Sequence, residues 1–301
     1  MVKLVSVIIP TYNERLTVNH CLVSLFKQSY RPLEIIVVDD GSTDNTVRIV
    51  KNFERSTRFA RPRRLEIKQS RARRTIICQL LTQQHLGPGK ARNLGAKHAN
   101  GDILVFVDAD MTFDRGFIKD LTKPIFARET IGTFSKNEMN ANSDNIWSKC
   151  WNLNRTGSIQ KLIPENSPDL SPVFRAILKK EFVQVGGFTS SGEYTDDWSL
   201  SEKLDKKASL ATEAIYYHSN PSNLDEVWKQ AKWFATNKFI SGDPLRSIKS
   251  LIFYSFVVSV PVAIIKTLKY RNLSFIFFRI YFDLAVWTAI PRAFISKIKA
   301  K

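Results

Sequence analysis

Residues 103–110 read Ile103-Leu104-Val105-Phe106-Val107-Asp108-Ala109-Asp110. Five consecutive apolar residues, most of them β-branched, predict a strand buried on both faces. Two acids follow it, one residue apart. On an extended chain residues i and i+2 point to the same side, so such a pair can reach one hard cation together. Mg²⁺ and Mn²⁺ prefer oxygen ligands, and Mg²⁺ is commonly held by one or two carboxylates plus substrate phosphates. The pair therefore suits a diphosphate substrate. The plainer role of either acid is to cap the next helix, and the neighbouring segments decide between the two.

Val5 to Ile9 and Ile35 to Val38 are further apolar runs of the same kind, and a third is expected near Thr75–Leu81. Between the first two, Leu16, Cys21, Leu22, Leu25 and Phe26 follow helical spacing. Asp44-Asn45-Thr46 opens a second helix holding Val47, Val50 and Phe53, and a third helix follows Gly89. Strand–helix alternation predicts a parallel sheet covered by helices, with ligands outside the carboxyl ends of the strands. Residues 130 to 220 read as α+β with a tight turn at Gly186-Gly187, and the chain from Lys229 onward reads as helical.

The strand ends carry a consistent set of polar residues: Pro10-Thr11-Tyr12-Asn13-Glu14, Asp39-Asp40-Gly41-Ser42-Thr43-Asp44, Gly87-Pro88-Gly89-Lys90-Ala91-Arg92-Asn93 and Asp108-Ala109-Asp110. A carboxylate of Asp39 or Asp40 can accept a hydrogen bond from a nucleobase ring N–H. Gly41 permits a tight turn, and Asp44 reads as a helix cap. Gly87 and Gly89 allow close backbone approach at a helix N-terminus, where anions are favoured, and Lys90 or Arg92 adds charge against a diphosphate. Farther on, Asp196 and Asp197 stand beside Trp198. Adjacent carboxylates next to an aromatic ring can hold protons unequally, as a general base requires; capping ahead of Leu200 and Leu204 is the plainer alternative.

The 301 residues carry a net charge of +17, which calls for an anionic partner. Ten basic residues against Asp283 lie between Arg246 and Lys301, and nine against Glu66 between Arg55 and Arg74. Leu251–Ile265 and Leu273–Ile290 are apolar, but short of the about 20 residues of a simple membrane span. Flanked by Lys and Arg and rich in aromatics, they are expected to lie in a membrane interface, with an ordinary helical subdomain packed on the core and a short spanning hairpin as the alternatives. No aromatic-basic nucleic-acid motif is present, so nucleic acid is not an expected partner. Three scattered cysteines and the lack of a secretory signal lead us to expect a reducing compartment.

Taken together, Val7-Ile8-Ile9-Pro10-Thr11-Tyr12-Asn13-Glu14, Val37-Val38-Asp39-Asp40-Gly41-Ser42-Thr43-Asp44, Gly89-Lys90-Ala91-Arg92-Asn93-Leu94-Gly95 and Asp108-Ala109-Asp110 resemble glycosyltransferase family 2. Phe174-Arg175, Val185-Gly186-Gly187-Phe188 and Thr195-Asp196-Asp197-Trp198 extend the resemblance over roughly residues 1 to 240. It implies a GT-A fold, a mixed and mainly parallel sheet flanked by helices. A catalytic domain would cover residues 1–240, divided at 110 into nucleotide-binding and acceptor halves. Residues 241–301 would form C-terminal amphipathic helices on the membrane.

The resemblance further implies that Thr11, Glu14 and Asp40 hold the base and ribose, with Pro10, Tyr12 and Asp39 beside them. Asp110 would ligate Mg²⁺ or Mn²⁺, Asp108 would contact the ribose or metal, and His218 would reach the metal or diphosphate. Asp197 would be the general base of an inverting displacement, and Arg175, Trp198 and Trp233 would serve the acceptor. Lys229-Gln230-Ala231-Lys232-Trp233 stands where chain-building synthases carry Gln-x-x-Arg-Trp, which favours transfer of a single sugar. Analogy with lipid-directed members puts GDP-mannose first as donor and UDP-glucose or another UDP-sugar second. The expected acceptor is lipid-linked, a polyprenyl phosphate or glycolipid, at the cytoplasmic face of the cell membrane. A soluble or protein-linked glycan is the alternative acceptor. Sugar-phosphate nucleotidyl transfer fits poorly, because no glycine-rich basic loop follows the first strand, and a non-enzymatic membrane-binding protein would not need these acids together.

Overall fold

Val5, Val7 and Ile9 are buried against one layer of helices and Ile8 against the other, as a strand in a sheet covered on both faces requires. The computed structural model describes residues 3–59, 76–189, 197–240, 249 and 251–299. The expectations for Asp196, Thr195 and residues 60–75 of the basic run lie outside the described residues. The chain divides into two compact units, residues 1–138 with 165–218, and residues 139–164 with 219–301.

The first unit begins β1 (Val5–Thr11), α1 (Val18–Phe26), β2 (Leu33–Asp39), α2 (Thr46–Phe59), β3 (Ile76–Thr82), α3 (Pro88–His98) and β4 (Ile103–Phe106). It continues with β5 (Met111–Phe113), α4 (Phe117–Phe126), β6 (Gly132–Phe134) and β7 (Asn137–Asn140), the last reaching the division between units. The strands β3-β2-β1-β4 are parallel neighbours in that order. Thr11 pairs with Asp39, and Asp39 with Thr82, so the polar strand ends meet in register at one edge. A polar cluster ties the opposite end: buried Glu34 accepts from Ser6 Oγ at 2.6 Å, Asn100 N at 2.9 Å and Asn100 Nδ2 at 2.8 Å.

Leu16 departs from the expected helix face. It is exposed, because Glu14 O accepts from Thr17 N and Val18 N and closes a turn that delays the helix to Val18.

Residues 139–164 contribute α5 (Ile146–Arg155) to the second unit. After them the first unit resumes with β8 (Leu170–Ser171), β9 (Ala176–Leu178), α6 (Lys179–Gln184), α7 (Ser199–Leu204), β10 (Ala208–Leu210) and β11 (Ile215–His218). The large sheet runs on from β4 through antiparallel β9 to β6, β10 and β8, while β11 lies antiparallel to β5 in a smaller sheet.

The second unit is completed by α8 (Leu224–Ile240), α9 (Phe256–Tyr270) and α10 (Ser274–Lys299). Val227, Ala231 and Ala235 recur every fourth residue on α8 and share a core with Trp151 and with Phe275, Phe278 and Phe282 of α10. The expected boundary at residue 240 therefore falls inside this unit, because the buried face of α8 is shared with α10. Among the described residues no helix is long and apolar enough to cross a membrane.

Candidate functional site

At the carboxyl edge of the first unit's sheet, side chains distant in sequence come together. Arg92 on α3 is buried; its Nη2 donates to Asp108 Oδ1 at 2.9 Å and its Nη1 to Asp197 Oδ1. Arg175 Nη1 donates to the other oxygen of Asp108 at 3.2 Å, and its guanidinium lies 5.6 Å from the Tyr216 ring centroid. Burial alone would raise the Asp108 carboxyl, but the charges of Arg175 and Arg92 hold it well below the usual carboxylate range.

The two acids of Asp108-Ala109-Asp110 do not face one ion. Beyond β4 the chain leaves the extended form, with Met111 N donating to Asp108 O at 3.3 Å, so the i and i+2 side chains diverge. Asp108 turns to the arginines, whereas Asp110 Oδ2 meets His218 Nε2 at 2.9 Å. His218 Nδ1 meets Glu138 Oε1 at 3.0 Å, and Tyr216 OH donates to Glu138 Oε2 at 3.2 Å. Burial would lower the His218 ring, but hydrogen bonds to Asp110 and Glu138 push it up to about 10, so both ring nitrogens donate. Glu138 is raised by burial and lowered by His218, with the net shift downward. Nothing in the sequence near Asn137-Glu138-Met139 marked this residue; only the pairing of remote strands brings it to His218.

Among the described residues no three His, Cys, Asp or Glu side chains gather as a metal cluster. Asp110 Oδ1 is nevertheless buried without a partner among them, and a bare carboxylate oxygen is the donor a hard cation takes. Asp110, with His218 once its ring gives up the Nε2 proton, fits a two-ligand ion completed by substrate phosphate. Asp108, held by two guanidinium groups, does not.

The first three strand ends form a second cluster. Asp40 Oδ1 accepts from Gln83 Nε2 at 2.6 Å and Leu86 N at 2.9 Å, and its Oδ2 accepts from Gly87 N at 2.9 Å. Its carboxylate thus shapes the loop leading into α3. Gly41 is needed in that turn: at φ +82° its Cβ position would lie 3.0 Å from His85 N. Asp39 Oδ2 accepts from Gly41 N and Ser42 N at 3.2 and 3.1 Å, while Oδ1 is buried and unpartnered among the described residues. The ring of Tyr12 stacks on His85, centroids 4.0 Å apart, and His85 Nδ1 sits 3.1 Å from Asp40 O. Burial pushes the Glu14 carboxyl up against a hydrogen bond from Thr17, with Asp110 and Asp108 adding negative charge nearby.

The remaining expected residues are spread more widely. Thr11, the last residue of β1, is buried with its hydroxyl on Val38 O at 3.4 Å, and Pro10 precedes it in the same strand. Asn93 is a clamp: its Nδ2 donates to Phe188 O and its Oδ1 accepts from Phe188 N, each at 2.9 Å, fixing the turn at Gly186-Gly187. Gly89 is buried in the first turn of α3, Lys90 is exposed beside it, and Trp198 is exposed ahead of α7. Trp233 belongs to the second unit, exposed on α8. On that helix Lys229 pairs with Asp225 at 2.6 Å and Lys232 lies 5.0 Å from the Trp228 ring centroid.

Comparison with known proteins gives this geometry a context. The family model described as Glycosyl transferase family 2 matches residues 6–183. The poly(ribitol-phosphate) beta-N-acetylglucosaminyltransferase TarS of Staphylococcus aureus (strain Mu50) is 32% identical over 168 residues, 55% of this chain and 24% of that protein. Glycosyltransferase GlyA of Streptococcus pneumoniae serotype 4 is 26% identical over 244 residues, 76% of this chain and 32% of that protein. The matched stretches thus cover only about a quarter to a third of these relatives. Among solved structures, mannosyltransferase PcManGT from Pyrobaculum calidifontis, in complex with GDP-Man and Mn²⁺, gives a TM-score of 0.53 at 19% identity, covering 100% of this chain and 76% of that one. The fold is thereby the mixed α/β arrangement of the GT-A transferases.

Proposed function

The chain belongs to glycosyltransferase family 2, and from that premise we propose that it moves one sugar from a uridine-diphosphate donor to a lipid-linked acceptor at the cytoplasmic face of the cell membrane. The observation that carries this reading is the double engagement of Arg92, which brings Asp197 beside Asp108 across 89 residues of sequence. Asp197 takes the proton of the acceptor hydroxyl as that oxygen attacks the anomeric carbon. The bond from that carbon to the diphosphate breaks on the opposite side, the configuration inverts and the nucleoside diphosphate leaves. Arg92 fixes the direction of the Asp197 carboxylate, and Arg175 with Arg92 fixes Asp108 toward the ribose. A divalent cation, when bound, neutralises charge developing on the leaving diphosphate; Asp110 and His218 would hold it.

Of the two donor classes expected, GDP-mannose and UDP-sugars, Asp39 supports the second. One of its oxygens is taken by two backbone N–H groups, leaving a single acceptor. Uracil's one ring N–H matches that one free oxygen, whereas guanine's ring N–H and amino group lie side by side and pair best with both oxygens of one carboxylate, of which Asp39 offers one. The acceptor reading draws on the net charge of +17. A phosphate-bearing polymer, such as the one named for TarS, is the second reading.

Thermal-shift measurements with Mn²⁺ and either UDP or GDP test the donor, UDP giving the larger stabilisation; a larger shift with GDP reverses the assignment. Asp197→Asn is expected to keep UDP binding and lose sugar transfer, and full activity in that variant removes the base.

A further inference from the structure

The second unit contains a cavity of about 290 Å³ between α9 and α10, lined by Tyr254, Phe256, Ile280, Leu284 and Trp287 with Ser259 and Asp283 at its polar end. Asp283 is 1% exposed. Its Oδ2 accepts from Ser259 Oγ at 2.7 Å and from Arg279 Nε at 2.6 Å, while Oδ1 has no partner among the described residues. A buried carboxylate oxygen left unmatched is costly, and because the Asp283 side chain lines the cavity, a ligand's donor group held there is placed to approach it.

The outer surface beside this cavity is apolar where a helix in water would be polar. Ser259, Ala263 and Thr267 face inward on α9. Val257, Pro261, Ile264, Ile265 and Leu268 recur at helical spacing on its exposed side, and Leu273 and Phe277 extend the patch. The helix carries no acidic residue, and Lys266, Lys269 and Arg271 cluster at its C-terminal end. An apolar stripe bordered by aromatics and lysines is the pattern of a helix lying in a lipid interface.

We infer that the α9–α10 face seats on an anionic bilayer and that its cavity takes part of one lipid, hydrocarbon against Phe256, Ile280, Leu284 and Trp287, and a hydroxyl against Asp283. Charge complementarity selects a membrane over a second copy of a chain that is itself strongly cationic. The inference deepens the lipid-linked reading above and rests on it for its purpose.

The test uses the full chain and vesicles of phosphatidylcholine alone or mixed three to one with phosphatidylglycerol, which is anionic and hydroxyl-bearing. The protein is expected to sediment with the mixed vesicles. Val257→Glu with Leu268→Glu, both on well-exposed positions, should lower partitioning at least tenfold while leaving the melting midpoint and UDP binding unchanged. Phosphatidylglycerol brominated on its acyl chains should quench the fluorescence of the native protein more than that of Trp287→Phe. Native protein left in the supernatant, a double variant that pellets normally, or equal quenching overturns the inference. So does a native dimer that the double variant converts to monomer, which would mean a second copy covers the face. Loss of UDP binding with sedimentation intact would instead count against the transferase reading.

Discussion

Removing the Arg92 side chain tests the centre of the site directly. Arg92→Ala deletes a charged hydrogen bond at 2.9 Å from a buried guanidinium to the partly exposed Asp108 carboxylate, worth about 1.5–3 kcal/mol. The contact with Asp197, whose side chain is 42% exposed, is screened by solvent and adds about 0.5–1 kcal/mol. The sum is roughly 2–4 kcal/mol, and for a unit of this size each kcal/mol moves the melting midpoint by about 2–4 °C. A fall of roughly 4–16 °C is therefore expected in a circular-dichroism melt. Arg92→Lys can keep one of the two bonds and should lose about half as much. Turnover should fall further than donor affinity, because Asp197 loses its orientation while Asp39 and Asp110 are untouched. A midpoint within about 2 °C of the native value, with native turnover, would refute the bridging role.

Asp110→Asn should abolish the dependence of donor binding on Mn²⁺, followed by calorimetry with and without the ion; unchanged dependence places the cation elsewhere. Gly132→Ala should destabilise the first unit by about 1–3 kcal/mol in a urea titration, since a Cβ there would lie 2.4 Å from the Phe174 ring and 2.7 Å from Ala176 O. Burial pushes the thiols of Cys78 and Cys150 up to about 12 and about 11, and that of Cys21 well above its ordinary value. Iodoacetamide at pH 8 should therefore label the native protein slowly and the urea-unfolded chain quickly, as counted by mass spectrometry; rapid labelling of the native protein contradicts their burial.

The parallel half of the sheet was legible because β-branched runs buried on both faces have few other destinations. Ile103–Phe106, Val5–Thr11 and Leu33–Asp39 lie within a residue or two of the expected limits. What failed was the extrapolation of strand geometry past the strand. Asp108 and Asp110 share a side only while the chain stays extended, and the bond from Met111 N ends that extension. Pairings such as Arg92–Asp197 or His218–Glu138 join residues 105 and 80 apart, beyond the reach of local pattern. The second unit was misplaced for a similar reason. The helical character of α8 was readable, but its share in the core of Phe275 and Phe278 depends on a fold-back that local periodicity does not encode.

The stacked pair of Tyr12 and His85 bears on how affinity would be distributed along a donor. A planar ring that took the place of His85 on Tyr12 would exchange one aromatic neighbour for another, so the gain at that end would be a difference between two similar contacts. Discrimination would then fall to the polar edge of the ring, and most of the net binding strength to the pyrophosphate end of the molecule.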